Sequence, residues 1–111
     1  MAACLVYVTT SDVEEARTIG RAMVKARLAA CANIIPAIHP IFWWEGEVQE
    51  GEETLLLLKA AEHLVQALTE AVSRLHSYDC PCVVSIPLTG GNPAFLDWID
   101  AETAGAPSLG N

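Results

Sequence analysis

The first segment of the chain is β-rich and apolar on both of its faces. In residues 3–8, Cys4, Val6 and Val8 share one face, while Leu5 and Tyr7 share the other. A strand that is apolar on both faces is usually a central one. We therefore predict a central strand that ends near residue 10.

A helical period follows this strand. Small and apolar residues recur at spacings of three and four positions, which predicts a helix over about residues 12–29 with one apolar stripe. Ser11 followed by Glu14 fits a capping box at its start. The stripe consists of Ala16, Ile19, Met23, Ala26 and Ala30.

The pattern in the middle of the chain predicts a long hairpin. Residues 31–44 are extended and apolar but contain Pro36 and Pro40, which cannot donate to a ladder, so this strand is expected to be bent, bulged or partly at an edge. The acidic segment 45–53 contains Gly46 and Gly51 and is predicted to form a turn. Residues 54–60 are the returning strand, and the two strands pair as an antiparallel hairpin.

The last third of the chain predicts two helices around one strand. Leu64, Leu68 and Leu75 lie on one helical stripe that stops at His76, residues 83–88 form a strand, and Pro93 starts a short third helix. The tail 104–111 is rich in Gly, Ala, Pro and Ser, and we expect it to be frayed and flexible.

The order β-α-β-β-α-β-α is that of a split βαβ fold. It predicts a single α+β domain over residues 1–103, a ferredoxin-like βαββαβ sandwich with an extra C-terminal helix and with two helices on one face of an antiparallel sheet. The strands are apolar on both sides, yet the second face has no helix to cover it. We therefore expect a subunit interface on that face.

Composition supports an oligomer. The chain has 111 residues, of which 52% are hydrophobic and 18% charged, which excludes intrinsic disorder. A domain this small cannot hide so many apolar side chains within one copy. Six basic against fourteen acidic residues give a net charge of −8. Nucleic acid is therefore an unexpected partner, because its binding requires a basic surface.

Targeting and membrane signals are not expected. The first residues lack a basic leader and read as a strand, and no apolar run approaches the ~20 residues of a membrane helix. The four cysteines, at positions 4, 31, 80 and 82, are interpreted as reduced thiols, because a chain this apolar does not need disulfides. These features predict a cytoplasmic protein.

Several activities known for this topology do not fit the residues. The loop after the first strand contains no Cys-x-x-Cys for a metal chaperone, and the strands lack the stacking aromatics of an RNA-binding sheet. There is no Walker loop, no Gly-x-Ser-x-Gly and no His-Glu-x-x-His. Because no nucleophile–base pair can be named from the spacing, we do not expect an enzyme.

Four segments resemble the CutA family, whose members are linked to divalent cation tolerance. Residues 27–34 (RLAACANI) are similar to its Arg-Leu-Ala-Ala-Cys-Val-Asn signature, and residues 44–46 (WEG) to its Trp-Glu-Gly turn. Residues 75–78 with Pro81 resemble its Leu-His-Pro-Tyr…Pro segment, and residues 91–98 resemble the motif before its final helix. The matches occur in order and cover about residues 5–100, which makes them more specific than any one alone.

The resemblance implies a tight homotrimer, similar in architecture to the PII signalling proteins. It also implies a role in tolerance of divalent metals, copper above all, with metal binding and without a settled enzymatic activity. The sequence departs from the family pattern where Ser77 replaces a proline, Cys82 a glutamate and Ala60 a threonine. The change to Cys82 exchanges a hard oxygen ligand for a soft one, which suits Cu(I) or Zn(II).

Four residues are candidate metal ligands, each with a structural alternative. Cys31 is either a core residue or a ligand, and His76 either caps a helix or binds metal. Cys80 and Cys82 flank Pro81, so in an extended segment both thiols project on one side, within reach of one soft metal ion. His76 is then a possible third ligand.

A second set of residues points to a cleft between subunits. An aromatic set is predicted to pack at an interface, with a stacking pocket as the alternative; it consists of Phe42, Trp43, Trp44 and Trp98. Lys59 is the only charged residue of its strand and is expected either to pair with a carboxylate such as Glu45 near a subunit junction or to bind an anionic ligand. The alternative function is thus a PII-like signalling module that binds a small ligand around Trp44, Glu45, Lys59, Tyr78 and Trp98.

Overall fold

The computed structural model describes residues 2–106 of the chain, which form six strands and three α-helices. The strands are β1 (Ala3–Thr10), β2 (Cys31–Ile38), β3 (Ile41–Trp44), β4 (Glu47–Glu50), β5 (Glu53–Ala61) and β6 (Val83–Pro87). The helices are α1 (Val13–Lys25), α2 (Val65–Leu75) and α3 (Pro93–Thr103), and a 3₁₀ turn over Glu62–Leu64 precedes α2.

Four strands form one antiparallel sheet in the order β2-β5-β1-β6. The two innermost strands are the ones that are apolar on both faces, as the sequence predicts for central strands. With α1 and α2 as crossovers, this order is that of the ferredoxin-like α+β fold, so the predicted fold class is confirmed.

The core lies between this sheet and the helices α1 and α2. Val6 and Val8 on β1 and Leu56 and Leu58 on β5 are fully buried. They pack in one cluster with helix residues that include Ile19, Leu68 and Val72. Alternate residues of each strand supply this face, because successive side chains of a strand point to opposite sides.

The opposite sheet face, which we call the open face, is covered only at one end of the described chain. Register places Tyr7 beside both Leu57 and Val84 on this face. Val84 is 53% exposed, and Ile86 and Ile35 are also exposed. At the covered end, Ile99 of α3 packs on Ala3 and Ala30. The bare face expected from the sequence is therefore present within a single chain.

Helix α1 differs from its predicted bounds at both ends. Its N-cap is Asp12, whose side chain accepts a hydrogen bond from the Glu15 N–H, so the predicted pairing of Ser11 with Glu14 is wrong by one residue. The helix ends at Lys25 rather than near residue 29, because Arg27 has a φ of 62°. That left-handed conformation cannot continue a right-handed helix.

The acidic segment forms more structure than the predicted turn. Its residues Glu47–Glu50 make strand β4, which pairs with β3 into a two-stranded ribbon. The turn itself has two residues, Glu45 and Gly46, with φ values of 51° and 81°. Two consecutive positive φ values fit the type I′ turn that matches the twist of a hairpin. The predicted hairpin is thus interrupted by this ribbon, whose Trp43 is 74% exposed.

The C-terminal tail and the membrane are the subjects of two further predictions. Residues 104–106 of the predicted tail are described, and Ala106 packs against the core. The remainder of the tail, 107–111, lies outside the described residues. Within residues 2–106, none of the helices combines the length and apolar character needed to cross a bilayer.

Candidate functional site

A cavity of about 510 Å³ opens between the β3–β4 ribbon and the loop that joins α2 to β6. The ribbon contributes Phe42, Trp44 and Gln49, and the sheet contributes Thr9 and Glu53. Thr9 lies near the end of β1 and Glu53 starts β5, so the cavity lies at the end of the open face that α3 does not cover. Its walls combine aromatic rings with a carboxylate.

His76 anchors the loop that forms the other wall. Its side chain is fully buried, and Nε2 lies 2.8 Å from the carbonyl oxygen of Thr9. A carbonyl oxygen can only accept, so Nε2 carries the proton and donates. Nδ1 then accepts the backbone N–H of Tyr78 at 3.1 Å. Both ring nitrogens are engaged in holding the loop against β1, and neither is left for a metal ion.

Glu15 of α1 fixes the same loop from the other side. Its carboxylate accepts hydrogen bonds from the Ser77 N–H at 2.7 Å and from the backbone N–H and hydroxyl of Ser11. Burial alone would raise the pKa of this carboxyl, but the hydrogen bonds from Ser11 and Ser77 lower the pKa of Glu15 to about 2. Glu15 is therefore ionised wherever the protein is folded near neutral pH.

Tyr78 links the loop side of the cavity to the sheet side. Its hydroxyl donates a hydrogen bond to Oε2 of Glu53 at 2.8 Å. Burial, and then the hydrogen bond to Glu53 and the charge of that residue, raise the pKa of Tyr78 above its ordinary value. The phenol stays protonated and holds one oxygen of the Glu53 carboxylate at the cavity wall.

Two free thiols complete the loop side of the cavity. Cys80 and Cys82 are both exposed, and both line the cavity together with Asp79. Partial desolvation and the nearby Glu53 carboxylate raise the pKa of the Cys82 thiol, although hydrogen bonds with Thr9 act in the opposite direction. Of the four metal-ligand candidates, these two share a cavity.

The other two candidate ligands lie elsewhere. His76 is occupied by Thr9 and Tyr78, as described above. Cys31 is half-buried on β2, paired in register with Lys59 of β5. Since Lys59 lies six residues from Glu53 on one strand, the two positions are about 20 Å apart. Within residues 2–106, no three His, Cys, Asp or Glu side chains form a group that could hold a metal ion.

The candidate cleft residues also do not lie in one place. Trp44 and Tyr78 line the cavity. Lys59 lies over the Phe95 ring, with Nζ 5.6 Å from its centroid, and Phe95 in turn packs against Trp98 at 5.4 Å between ring centroids. These contacts place Lys59 and Trp98 at the α3 end of the sheet.

Among the described residues of one chain, Lys59 does not contact Glu45, and their pairing across a subunit junction stays a prediction. Lys59 Nζ instead donates to Oδ1 of Asn33 at 2.7 Å. The two residues share the open face on neighbouring strands, where register sets them close together. Glu45 lies in the exposed turn of the ribbon, and it does not line the cavity.

Sequence reasoning missed Glu53 and Thr9 as cavity residues. Glu53 was grouped with the solvated acidic segment, although it directly precedes the apolar run that forms β5. One signal could have found it: a half-buried tyrosine hydroxyl needs a hydrogen-bond partner, and Tyr78 has one in Glu53.

Comparisons with known proteins give a consistent result. Residues 4–102 match the family profile described as CutA1 divalent ion tolerance protein. The chain is 44% identical over 99 residues to "Divalent-cation tolerance protein CutA" of Thermus thermophilus, covering 89% of this chain and 96% of that protein. It is 42% identical to "Protein CutA 1, chloroplastic" of Oryza sativa over 89% of this chain, but it spans only 56% of that longer relative.

Solved structures of this group are also similar. The crystal structure of CutA1 from Oryza sativa superimposes with a TM-score of 0.89 at 41% identity, covering 93% of this chain and 94% of that one. The Thermus thermophilus protein gives a TM-score of 0.89 at 44% identity, covering 91% and 98% of the two chains.

Proposed function

The chain belongs to the CutA1 family of divalent ion tolerance proteins, and from that premise we propose that it acts in tolerance of divalent metal ions, copper above all. In this proposal it works as a homotrimer that binds metal ions weakly and catalyses no reaction. The observation that carries the metal part is that two exposed thiols, Cys80 and Cys82, line one cavity. Thiolates are the ligands that copper in its reduced state prefers.

A growth assay tests the tolerance role. A host that lacks its own protein of this family is grown in graded copper, zinc and cadmium, with and without the chain. We expect the chain to raise the inhibitory copper concentration, and to leave sensitivity to a non-metal stress such as heat unchanged. Equal copper sensitivity with and without the chain contradicts the proposal.

The trimer is supported by the apolar surface that one chain leaves uncovered. Val84, Ile86 and Ile35 are exposed on the open face, and Trp43 projects from the ribbon. Contiguous apolar surface of this kind marks protein–protein contact. In the proposed trimer, three copies cover each other's open faces, which accounts for the high hydrophobic content of so short a chain.

Light scattering tests this assembly. Val84→Glu places a charge in the middle of the proposed interface, and we expect it to shift the mass from trimer towards monomer. Val24→Glu is the matched control, because Val24 is an exposed valine on α1, in the opposite layer. A monomeric wild-type chain, or a Val84→Glu variant that remains trimeric, contradicts the proposed interface. Lys59→Met in native mass spectrometry shows whether Lys59 also supports assembly.

A second candidate function is a PII-like signalling module. It is favoured by the cavity itself, whose volume of about 510 Å³ exceeds what a bare ion needs and fits a small organic ligand. Trp44 and Tyr78 offer aromatic walls for such a ligand. A thermal-shift screen of metals against nucleotides and small organic acids separates the two functions, since a response to metals alone favours tolerance and a response to an organic ligand favours signalling.

We propose that the protein acts in the cytoplasm. All four cysteines are free thiols, which suits a reducing compartment. Cell fractionation with detection of the chain tests this location, and recovery outside the cytoplasmic fraction contradicts it.

A further inference from the structure

The Cys80–Pro81–Cys82 segment lies in the loop that joins α2 to β6, on one wall of the cavity. Both thiols are exposed and free, and both line the same cavity wall. They are therefore accessible to an ion that enters the cavity, and they are close enough in the chain to reach it together.

The backbone of this segment is restricted on both sides. Val83 pairs with Val8 in the antiparallel ladder, so continuation of that register sets Cys82 opposite Thr9. Pro81 locks its own φ, which limits the conformations of the segment, and the chain bends at Cys80. Both thiols line one cavity and are separated by a single residue of fixed φ, so they lie within reach of one ion in that cavity.

The number of available metal ligands favours Cu(I) over Zn(II). His76 was the expected third ligand, but Nε2 donates to Thr9 and Nδ1 accepts from Tyr78. No third His, Cys, Asp or Glu in residues 2–106 completes a metal-binding group with the thiols. Zn(II) in proteins takes four ligands, so this pair supplies half of what it needs. Cu(I) is selected by soft thiolates and is satisfied by a low coordination number.

We propose that Cys80 and Cys82 together bind one Cu(I) ion per chain as a two-thiolate site at the cavity wall. Each thiol releases its proton to solvent as its Cu–S bond forms, and copper remains in the reduced state throughout. The inference rests on the proposed function, which it deepens: the species held at this site is monovalent, reduced copper, whereas the family is named for divalent ions.

Competition for Cu(I) under anaerobic, reducing conditions tests the site. The full chain is titrated against a chromogenic Cu(I) chelator, alongside Cys80→Ser, Cys82→Ser and Cys31→Ser. We expect one Cu(I) per wild-type chain and an affinity loss of at least about 100-fold in each of the first two variants. Cys31→Ser is the thiol control, because Cys31 lies at the other end of the sheet, and it keeps the wild-type affinity.

Alkylation gives a second readout that does not depend on affinity. Iodoacetamide modifies both cavity thiols of the metal-free chain, and one equivalent of Cu(I) protects both, as peptide mass spectrometry can show. Unchanged affinity in both serine variants, or an equal loss in Cys31→Ser, overturns the site. Protection of only one of the two thiols overturns it as well.

The two proposals can fail separately. If the chain raises metal tolerance in the growth assay while the Cys80→Ser variant keeps its Cu(I) affinity, the two-thiolate site is wrong and the tolerance role stands. If the pair binds Cu(I) but the chain gives no tolerance, the two-thiolate site stands and the tolerance role is wrong.

Discussion

The Tyr78 hydroxyl donates a hydrogen bond to the Glu53 carboxylate at 2.8 Å, joining the loop after α2 to the first residue of β5. Both residues line the cavity. The two are 25 residues apart in the sequence, so this contact closes one side of the cavity across the fold. Hydrogen bonds to a charged acceptor are stronger than those between neutral groups.

Tyr78→Phe removes this hydrogen bond and little else. We expect the free energy of unfolding to fall by about 1–2 kcal/mol, because a hydrogen bond to a charged group contributes about that much. Guanidinium denaturation at a fixed chain concentration measures it. The control is Tyr7→Phe, since the Tyr7 hydroxyl has no hydrogen bond with the described residues; an equal loss in the two variants contradicts the assigned role of Glu53.

The Glu15 carboxylate makes the stability depend on pH in the acid range. Its pKa is lowered to about 2 in the folded chain, so its contribution is fully present above about pH 4.5 and is lost as the pH falls towards 2. Its side chain is 12% exposed, and solvent screens part of the effect. We expect Glu15→Gln to cost about 1–2 kcal/mol at pH 7 and progressively less below pH 4.5.

Acid titration of the folded-state circular dichroism compares this variant with the wild type. Glu14→Gln is the neighbouring control, because Glu14 is exposed and forms only a surface pair with Arg17 at 3.7 Å. A difference between wild type and Glu15→Gln that stays constant down to pH 2 argues against the role of the charge.

The topology could be predicted from the sequence because hydrophobic periodicity reports directly on burial. Val6 and Val8 lie on the strand that is apolar on both faces, and Ile19 and Met23 lie on the apolar stripe of the first helix. All four belong to the core. The local backbone conformation was harder to predict from the sequence. The helix-ending conformation of Arg27 is rarely adopted by a non-glycine residue, and its pattern resembled a continuing helix. The guanidinium of Arg27 is tied to Glu102, which lies 75 positions away.

The cavity could be predicted only in part. The sequence predicts that Cys80 and Cys82 lie together because only Pro81 separates them. It could not separate Lys59 and Trp98 from Trp44 and Tyr78, because their separation depends on the lengths of the strands and on where α3 packs. Predicting that Glu53 lines the cavity requires the sheet register, which composition does not specify.

Gly20 is required by close packing of α1 on the sheet. A Cβ added there would lie 3.1 Å from Cβ of Ala32 and 3.1 Å from Cδ1 of Leu56. Ala32 cannot move without its strand, so we expect Gly20→Ala to destabilise the protein by about 1–2 kcal/mol, although alanine favours helix. Thermal unfolding measures the change. Gly51→Ala, in open space, is expected to stay within about 0.5 kcal/mol of the wild type, and equal behaviour of the two variants contradicts this account.

Both ring nitrogens of the buried His76 are hydrogen-bonded, so we expect this residue to support the loop rather than to bind metal, which gives a prediction with two readouts. His76→Ala loses the hydrogen bonds to Thr9 and Tyr78 and leaves a cavity, so we expect it to lower the free energy of unfolding by about 2–4 kcal/mol. His76→Gln retains an amide that can donate to Thr9 and is expected to be affected less. Guanidinium denaturation measures both changes.

The second readout is Cu(I) affinity, measured on His76→Gln at a temperature where the variant is folded. Because both imidazole nitrogens are already engaged, we expect its affinity to match the wild type, whereas Cys82→Ser loses affinity. A loss in His76→Gln as large as that in Cys82→Ser, without a matching loss of stability, would make the imidazole a ligand. In that case the loop must rearrange to free Nδ1 from the Tyr78 N–H when copper binds.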